Sequence, residues 1–164
     1  MEDIEKRNET YRTNAQRERL KEQSGSYDKY IKALDVKTEI HRIIPMEYNR
    51  VSELTQRTNK CTNGRRFTVQ EIKNCIKNGR TDFYSVHASD MFSDLGMVGV
   101  FAVKDNDLVL FSLSCRALGR EIENTMLEYI ISNWEIDRVF FHSTGKNTDL
   151  KNAFYERFHS VIAE

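Results

Sequence analysis

The chain has 164 residues, 39% of them hydrophobic, which is enough to bury one core and too little for two comfortable domains. Lysine plus arginine and aspartate plus glutamate each number 25, so no global basic field exists to hold nucleic acid and no acidic field to steer a cationic partner. No apolar run approaches the roughly 20 residues of a membrane-spanning helix, and the polar start Met1-Glu2-Asp3 is unlike a secretory leader, so a cytoplasmic protein without a membrane partner is expected.

From Glu2 to Gln23 the residues Glu, Arg, Lys and Gln dominate, and Ile4, Tyr11, Ala15 and Leu20 are too sparse for a broad buried stripe. This predicts a polar helix of the kind that bridges domains. Residues 1–25 read as a linker helix, dispensable for folding, and 26–164 as the domain itself. A short helix over Tyr27 to Leu34 precedes a β-branched strand from Val36 to Ile44. Pro45, the single proline, stops that strand and opens a helix from Met46 to about Asn59. Thr68-Val69-Gln70-Glu71 is a capping box flanked by the Phe67/Ile72 staple, and Gly79 is placed to end the helix it starts. Strands follow over Asp82 to Ala88 and Gly96 to Val103. The turn Lys104-Asp105-Asn106-Asp107 then returns Leu108 to Leu113 as a hairpin partner. Leu118, Ile122, Met126 and Ile130 recur every fourth residue, predicting an amphipathic helix. Arg138 to His142 reads as a short strand, and Asn147 as the cap of a last helix carrying Leu150, Phe154 and Phe158. The order predicts an α/β fold, a mixed sheet with helices packed on it.

The segment Ser114-Cys115-Arg116-Ala117-Leu118-Gly119-Arg120 joins a strand to that amphipathic helix. Such a junction directs unpaired backbone N–H groups and the positive helix end at one point, a natural anion site. Arg116 and Arg120 add charge-assisted bonds and Gly119 lets the backbone approach a phosphate, the alternative being an ordinary strand-to-helix turn with two solvated arginines. Cys115, beside a helix N-terminus and arginines, is a candidate nucleophile; packed as a small hydrophobe it would be inert. The three cysteines Cys61, Cys75 and Cys115 contain no Cys-x-x-Cys pair, which argues against a disulfide framework. The four histidines, His41, His87, His142 and His159, show no metal-ligand spacing, so no metal is expected. His142, at a strand end beside Ser143 and Thr144, is a candidate general base, the alternative being a hydrogen-bonded loop histidine.

Several separate pieces resemble the C-terminal region of FkbH-type proteins: Leu54-Thr55-Gln56-Arg57-Thr58-Asn59, Arg65-Arg66-Phe67-Thr68, and Asp90-Met91-Phe92-Ser93-Asp94-Leu95-Gly96 with Val98-Gly99. Ser114-Cys115-Arg116 with Leu118-Gly119-Arg120 and Glu123, and Thr144 with Lys146-Asn147, complete the resemblance. It implies a GNAT-like domain, a mixed central sheet flanked by helices, following a haloacid-dehalogenase-like phosphatase domain. In this resemblance Arg116, Gly119 and Arg120 would cradle the pyrophosphate of coenzyme A or the phosphate of a phosphopantetheine arm. Cys115 would carry an acyl group, glyceryl or a related hydroxyacyl unit, on its way to an acyl-carrier-protein thiol. Asn59, Asp94, Lys146 and Asn147 are the candidates for orienting that group. The rivals are a non-catalytic module that docks the carrier protein or coenzyme A for a separate phosphatase domain, and a regulatory coenzyme A sensor.

Overall fold

The structure is a computed structural model and describes residues 2–163. Helix α1 (Glu2–Ser24) leads through Gly25 into α2 (Tyr27–Leu34), whose N-cap Ser26 accepts from the Lys29 amide. Strand β1 (Lys37–Arg42) ends before a 3-10 turn at Pro45–Glu47, and α3 (Tyr48–Arg57) follows directly. Next come β2 (Cys61–Thr62), α4 (Val69–Asn78), β3 (Thr81–Ser89), β4 (Asp94–Lys104) and β5 (Asp107–Leu113). After a 3-10 turn at Cys115–Ala117 the chain forms α5 (Ile122–Asn133), β6 (Arg138–Phe141), α6 (Thr148–Arg157) and β7 (Val161–Ala163).

Local chemistry explains the boundaries that sequence foresees. Thr68 and Glu71 close both arms of the capping box at α4, and Gly79 takes the left-handed conformation at its end, φ 71°. Asp105 and Asn106 hold φ values of 49° and 67°, as a two-residue hairpin between right-twisted strands requires.

The seven strands form one mixed sheet in the order β1-β3-β4-β5-β6-β7, with β2 added on β5. The first four strands of that order are antiparallel, whereas β5–β6 and β6–β7 are parallel and cross over through α5 and α6. Strand β4 is buried on both faces: Phe101 and Val103 face the core under α5 and α6, and Val100 and Ala102 the core under α3 and α4. Ile122, Met126, Leu127 and Ile130 of α5 are all at most 1% exposed, a burial worth about 1.5–3 kcal/mol for each such side chain.

The N-terminal helix makes one buried contact that its composition does not announce. Arg17 of α1 is 5% exposed and reaches the Asp90 carboxylate, with Nε–Oδ2 at 2.7 Å and Nη2–Oδ1 at 3.0 Å. A buried arginine, not an apolar stripe, fastens α1 to the domain. Two further strands escape the sequence reading. Both β2 and β7 have only two or three residues and exist because a partner strand holds them. Among the described residues no helix is long and apolar enough to cross a membrane.

Candidate functional site

The site follows from one discontinuity in the sheet. Strands β5 and β6 pair only at Asp107↔Arg138 and Leu108↔Val139 and then diverge, which would leave backbone groups on both without partners. Strand β2 fills part of the split, pairing Cys61 with Leu113 and Thr62 with Ser112. Asn63 closes the rest. Its buried side-chain amide donates to the Val109 carbonyl at 2.9 Å and the Phe140 carbonyl at 3.1 Å, and its Oδ1 accepts from the Phe111 amide. Gly64 then turns at φ +85°, so tightly that an added Cβ would lie 1.9 Å from the His142 carbonyl oxygen. The C-terminal ends of two adjacent parallel strands are the usual place for a ligand site in sheets of this kind, and the Cys115 segment lies at the end of β5.

Helix α5 begins later than predicted. Cys115–Ala117 is a separate 3-10 turn, anchored on β4 by the Ser114 amide donating to the Val98 carbonyl at 2.7 Å, and α5 starts only at Ile122. Cys115 is exposed, which removes the packing alternative. Arg116 donates through Nη2 to the Met97 carbonyl at 3.4 Å, and Arg50 of α3 donates to the same oxygen at 3.2 Å. Burial first, then the positive charges of Arg50 and Arg120, lower the affinity of Arg116 for its proton. Two guanidinium groups crowding one carbonyl favour an anion beside them. Gly119 has φ +81° with open space around it, so it serves the turn rather than a close backbone approach.

The packing gives the predicted residues partners that the sequence does not announce. Arg120 is 9% exposed and faces Asp90, Nε–Oδ2 3.4 Å, while its Nη1 donates to the Arg116 carbonyl, so part of its guanidinium holds the loop. Asn147 is 1% exposed and makes no side-chain cap for α6. Its Nδ2 donates to the Thr62 and His142 carbonyls and its Oδ1 accepts from the Thr144 amide, so it stitches β2 to the end of β6. Asn59 is exposed, but its Oδ1 accepts from Arg66, whose other nitrogen caps the Thr55 and Gln56 carbonyls at the end of α3. His142 is exposed and lines a cleft of about 1100 Å³ with Gly64, Arg65, Lys104, Arg138 and Phe140, a cleft that neither Cys115 nor Arg116 lines. Asp94 and Lys146 are exposed, Asp94 accepting from the Gly96 amide at the start of β4.

A residue of α5 joins His142 as an acid–base candidate. Glu123, in the first turn of α5, has a buried Oε2 without a hydrogen-bond partner among the described residues. Burial pushes its carboxyl upward against the pull of its own backbone N–H, and the Glu121 carboxylate adds to the rise. The Cys61 thiol is pushed up to about 12, chiefly by burial and then by the negative charge of Glu123. The signal was present in the sequence as the glutamate that closes the Ser-Cys-Arg segment, but nothing local showed that its carboxylate would be buried.

His41 and His87 also depart from expectation. They converge with Glu47 on the α3 side of the sheet although the two lie 46 positions apart in the chain, because strand register and not sequence spacing brings them together.

No protein-family model matches the chain, and no curated protein matches it. Among solved structures it is similar to a spermidine N-acetyltransferase from Vibrio cholerae, with 11% identity and a TM-score of 0.40, over 59% of this chain and 65% of that one. It is also similar to an acetyltransferase from Salmonella typhimurium that modifies the N-terminal serine of ribosomal protein L7/L12, at 12% identity and TM-score 0.41, over 58% and 62%. A Trypanosoma brucei acetyltransferase overlaps 78% of this chain and 82% of its own at 8% identity and TM-score 0.40. The chain thus spans less than two thirds of the first two neighbours, and the overlap brings no substrate with it.

Proposed function

We propose that the domain transfers an acyl group from one thiol to another, with the phosphate of a coenzyme A or phosphopantetheine donor held at Arg116 and Arg50. The observation that carries this reading is Glu123, a carboxylate with an unpartnered buried oxygen and a raised proton affinity, in the first turn of the helix that follows the exposed Cys115 turn. A carboxyl tuned upward is suited to take and return a proton near neutral pH.

In this mechanism Glu123 takes the Cys115 S–H proton as the sulfur attacks the acyl carbonyl. The donor's C–S bond breaks and its thiolate leaves with the proton that Glu123 returns. The second half repeats the exchange in reverse on an incoming thiol, and the thioester count is unchanged throughout. The finer form of the proposal takes the FkbH-like resemblance further. The acyl unit is glyceryl or a related hydroxyacyl group, the acceptor is the phosphopantetheine of an acyl carrier protein, and a haloacid-dehalogenase-like phosphatase domain works alongside.

The test is thiol release from acyl-CoA and from acyl-phosphopantetheine carrier protein. Glu123→Gln is expected to slow release about 10²–10⁴-fold, the usual contribution of a positioned acid–base group. Arg116→Ala is expected to act on KM. Release at the same rate in Glu123→Gln, or from no donor in the wild-type protein, sinks the catalytic reading. A second reading, a carrier-docking module without chemistry of its own, is favoured by β2, which already occupies the β5 backbone at the split where an extended ligand arm would bind. Saturable carrier binding without thiol release would establish that alternative.

A further inference from the structure

We infer that His41, Glu47 and His87 form a binding site for a divalent transition-metal ion of the zinc type, remote in the chain from the β5–α5 junction and independent of the acyl-transfer reading. Strand register builds it. His41 of β1 pairs with Ser85 of β3, and His87 lies two residues further along β3, so all three side chains project from one face of the sheet. Glu47 descends onto that face from the 3-10 turn that Pro45 opens. Its carboxylate is aimed by the Ile44 amide, which donates to Oε1 at 3.1 Å.

The donor atoms already converge. Glu47 Oε2 lies 2.9 Å from His87 Nε2, and Oε1 lies 3.8 Å from Nδ1 of the His41 ring, whose other nitrogen is the one left for metal. One ligand atom from each of the three residues lies within 4.8 Å of the others. Ser85, fully buried, places its Oγ 3.2 Å from Glu47 Oε2, 3.3 Å from His87 Nε2 and 3.4 Å from His41 Nε2. A hydroxyl has one proton to offer, and here it faces a carboxylate and two imidazoles. Such a set has more acceptor lone pairs than donors, and a cation satisfies several of them at once.

The chemistry of the set selects the ion. Two imidazoles and one carboxylate suit zinc and its first-row neighbours, whereas magnesium and calcium prefer all-oxygen shells. The outer shell is in place at His41, where Nδ1 lies 2.8 Å from the Arg42 carbonyl; a proton held there leaves the Nε2 lone pair for metal. Both histidine side chains are about one third exposed, 38% for His41 and 32% for His87, which leaves the ion a solvent-facing position for water. The rings stack at 5.0 Å with an interplanar angle of 14°. An ion must lie near the plane of each ring it binds, so one ring, His41 on the sheet edge, has to turn out of the stack when metal enters. The consequence for the fold is a clip that ties the edge strand β1 and the turn at Glu47 to β3.

The experiment uses the full chain, stripped with a chelator and titrated with zinc and, separately, cobalt(II). One equivalent of zinc is expected to bind and to raise the melting temperature. Cobalt is expected to give the visible bands of a nitrogen–oxygen site without the sulfur-to-cobalt charge-transfer band that thiolate ligands produce. His41→Gln and His87→Gln, at partly exposed positions where folding should survive, are each expected to weaken zinc at least about 100-fold, since even an outer-shell partner is worth 10–100-fold. No bound zinc, a thiolate charge-transfer band, or unchanged affinity in both histidine variants would overturn the inference.

Discussion

Arg17→Ala tests whether a polar helix is held to a domain by one buried charge network. Arg17 and Asp90 are 6% and 0% exposed at the side chain, and the arginine makes three close bonds there: Nε to Asp90 Oδ2 at 2.7 Å, Nη2 to Oδ1 at 3.0 Å and Nη2 to Ser93 Oγ at 2.7 Å. Breaking a buried ion pair by removing one partner costs about 3–5 kcal/mol. The lower part of that range applies here, because Asp90 keeps the Phe92 and Ser93 amides and has Arg120 at 3.4 Å. A loss of about 3 kcal/mol lowers the melting temperature of a chain this size by roughly 6–12 °C. Thermal unfolding followed by circular dichroism measures it, and the same loss is expected on deleting residues 2–24. A fall of less than about 2 °C in both variants would refute the reasoning and restore α1 as a detachable linker.

The remaining expectations concern pH, backbone and thiols. Burial raises the Asp90 carboxyl, but the hydrogen bonds from Arg17 and the Phe92 and Ser93 amides outweigh it and hold the group below the usual range. Its contribution to stability is therefore complete above about pH 4, the unfolded value, and is lost as pH falls through the lower folded value. Asp90→Asn should flatten that acid limb in denaturant titrations. Glu123 has the opposite sign: its raised folded value costs stability as pH rises. Glu123→Gln should therefore stabilise the domain at neutral pH, by about 1 kcal/mol for a partly buried unpaired oxygen, with the gain vanishing near pH 4. Gly64→Ala should cost about 2–4 kcal/mol, from a positive φ and a Cβ 1.9 Å from the His142 oxygen, and chemical denaturation reads it directly. Iodoacetamide should label exposed Cys115 in the folded protein and reach buried Cys61 only on unfolding, with Cys115→Ser melting normally.

What the sequence reveals is what local chemistry decides. Thr68 with Glu71, Gly79, and the Asp105-Asn106 turn each specify a boundary within a few residues of themselves, and the fourfold spacing of Ile122, Met126 and Ile130 marks the buried face of α5. The α/β class and the mixed sheet follow from those boundaries in order. The start of α5 was misplaced because Leu118 continues its spacing, whereas Gly119 at φ +81° and Glu121 at φ +61° break the helical path. The site was less legible for a different reason. Arg17, Arg120 and Asp90 look like ordinary surface charges until packing closes over them, and Asn63 and Asn147 look like loop amides until two diverging strands need their hydrogen bonds. His41 and His87 meet only through the pairing of β1 with β3. Each of these residues also meets a segment far from it in the chain, and no local pattern announces that meeting.

The central claim, that Cys115 carries the acyl group while Glu123 takes and returns its proton, is tested most directly by the intact mass of the folded domain after brief incubation with acyl-CoA, followed by peptide mapping. The expected result is a single acyl increment on Cys115, absent in Cys115→Ser and formed at least about 100-fold more slowly in Glu123→Gln. Unmodified protein with every acyl donor, or an increment that forms equally well in Cys115→Ser, would contradict it.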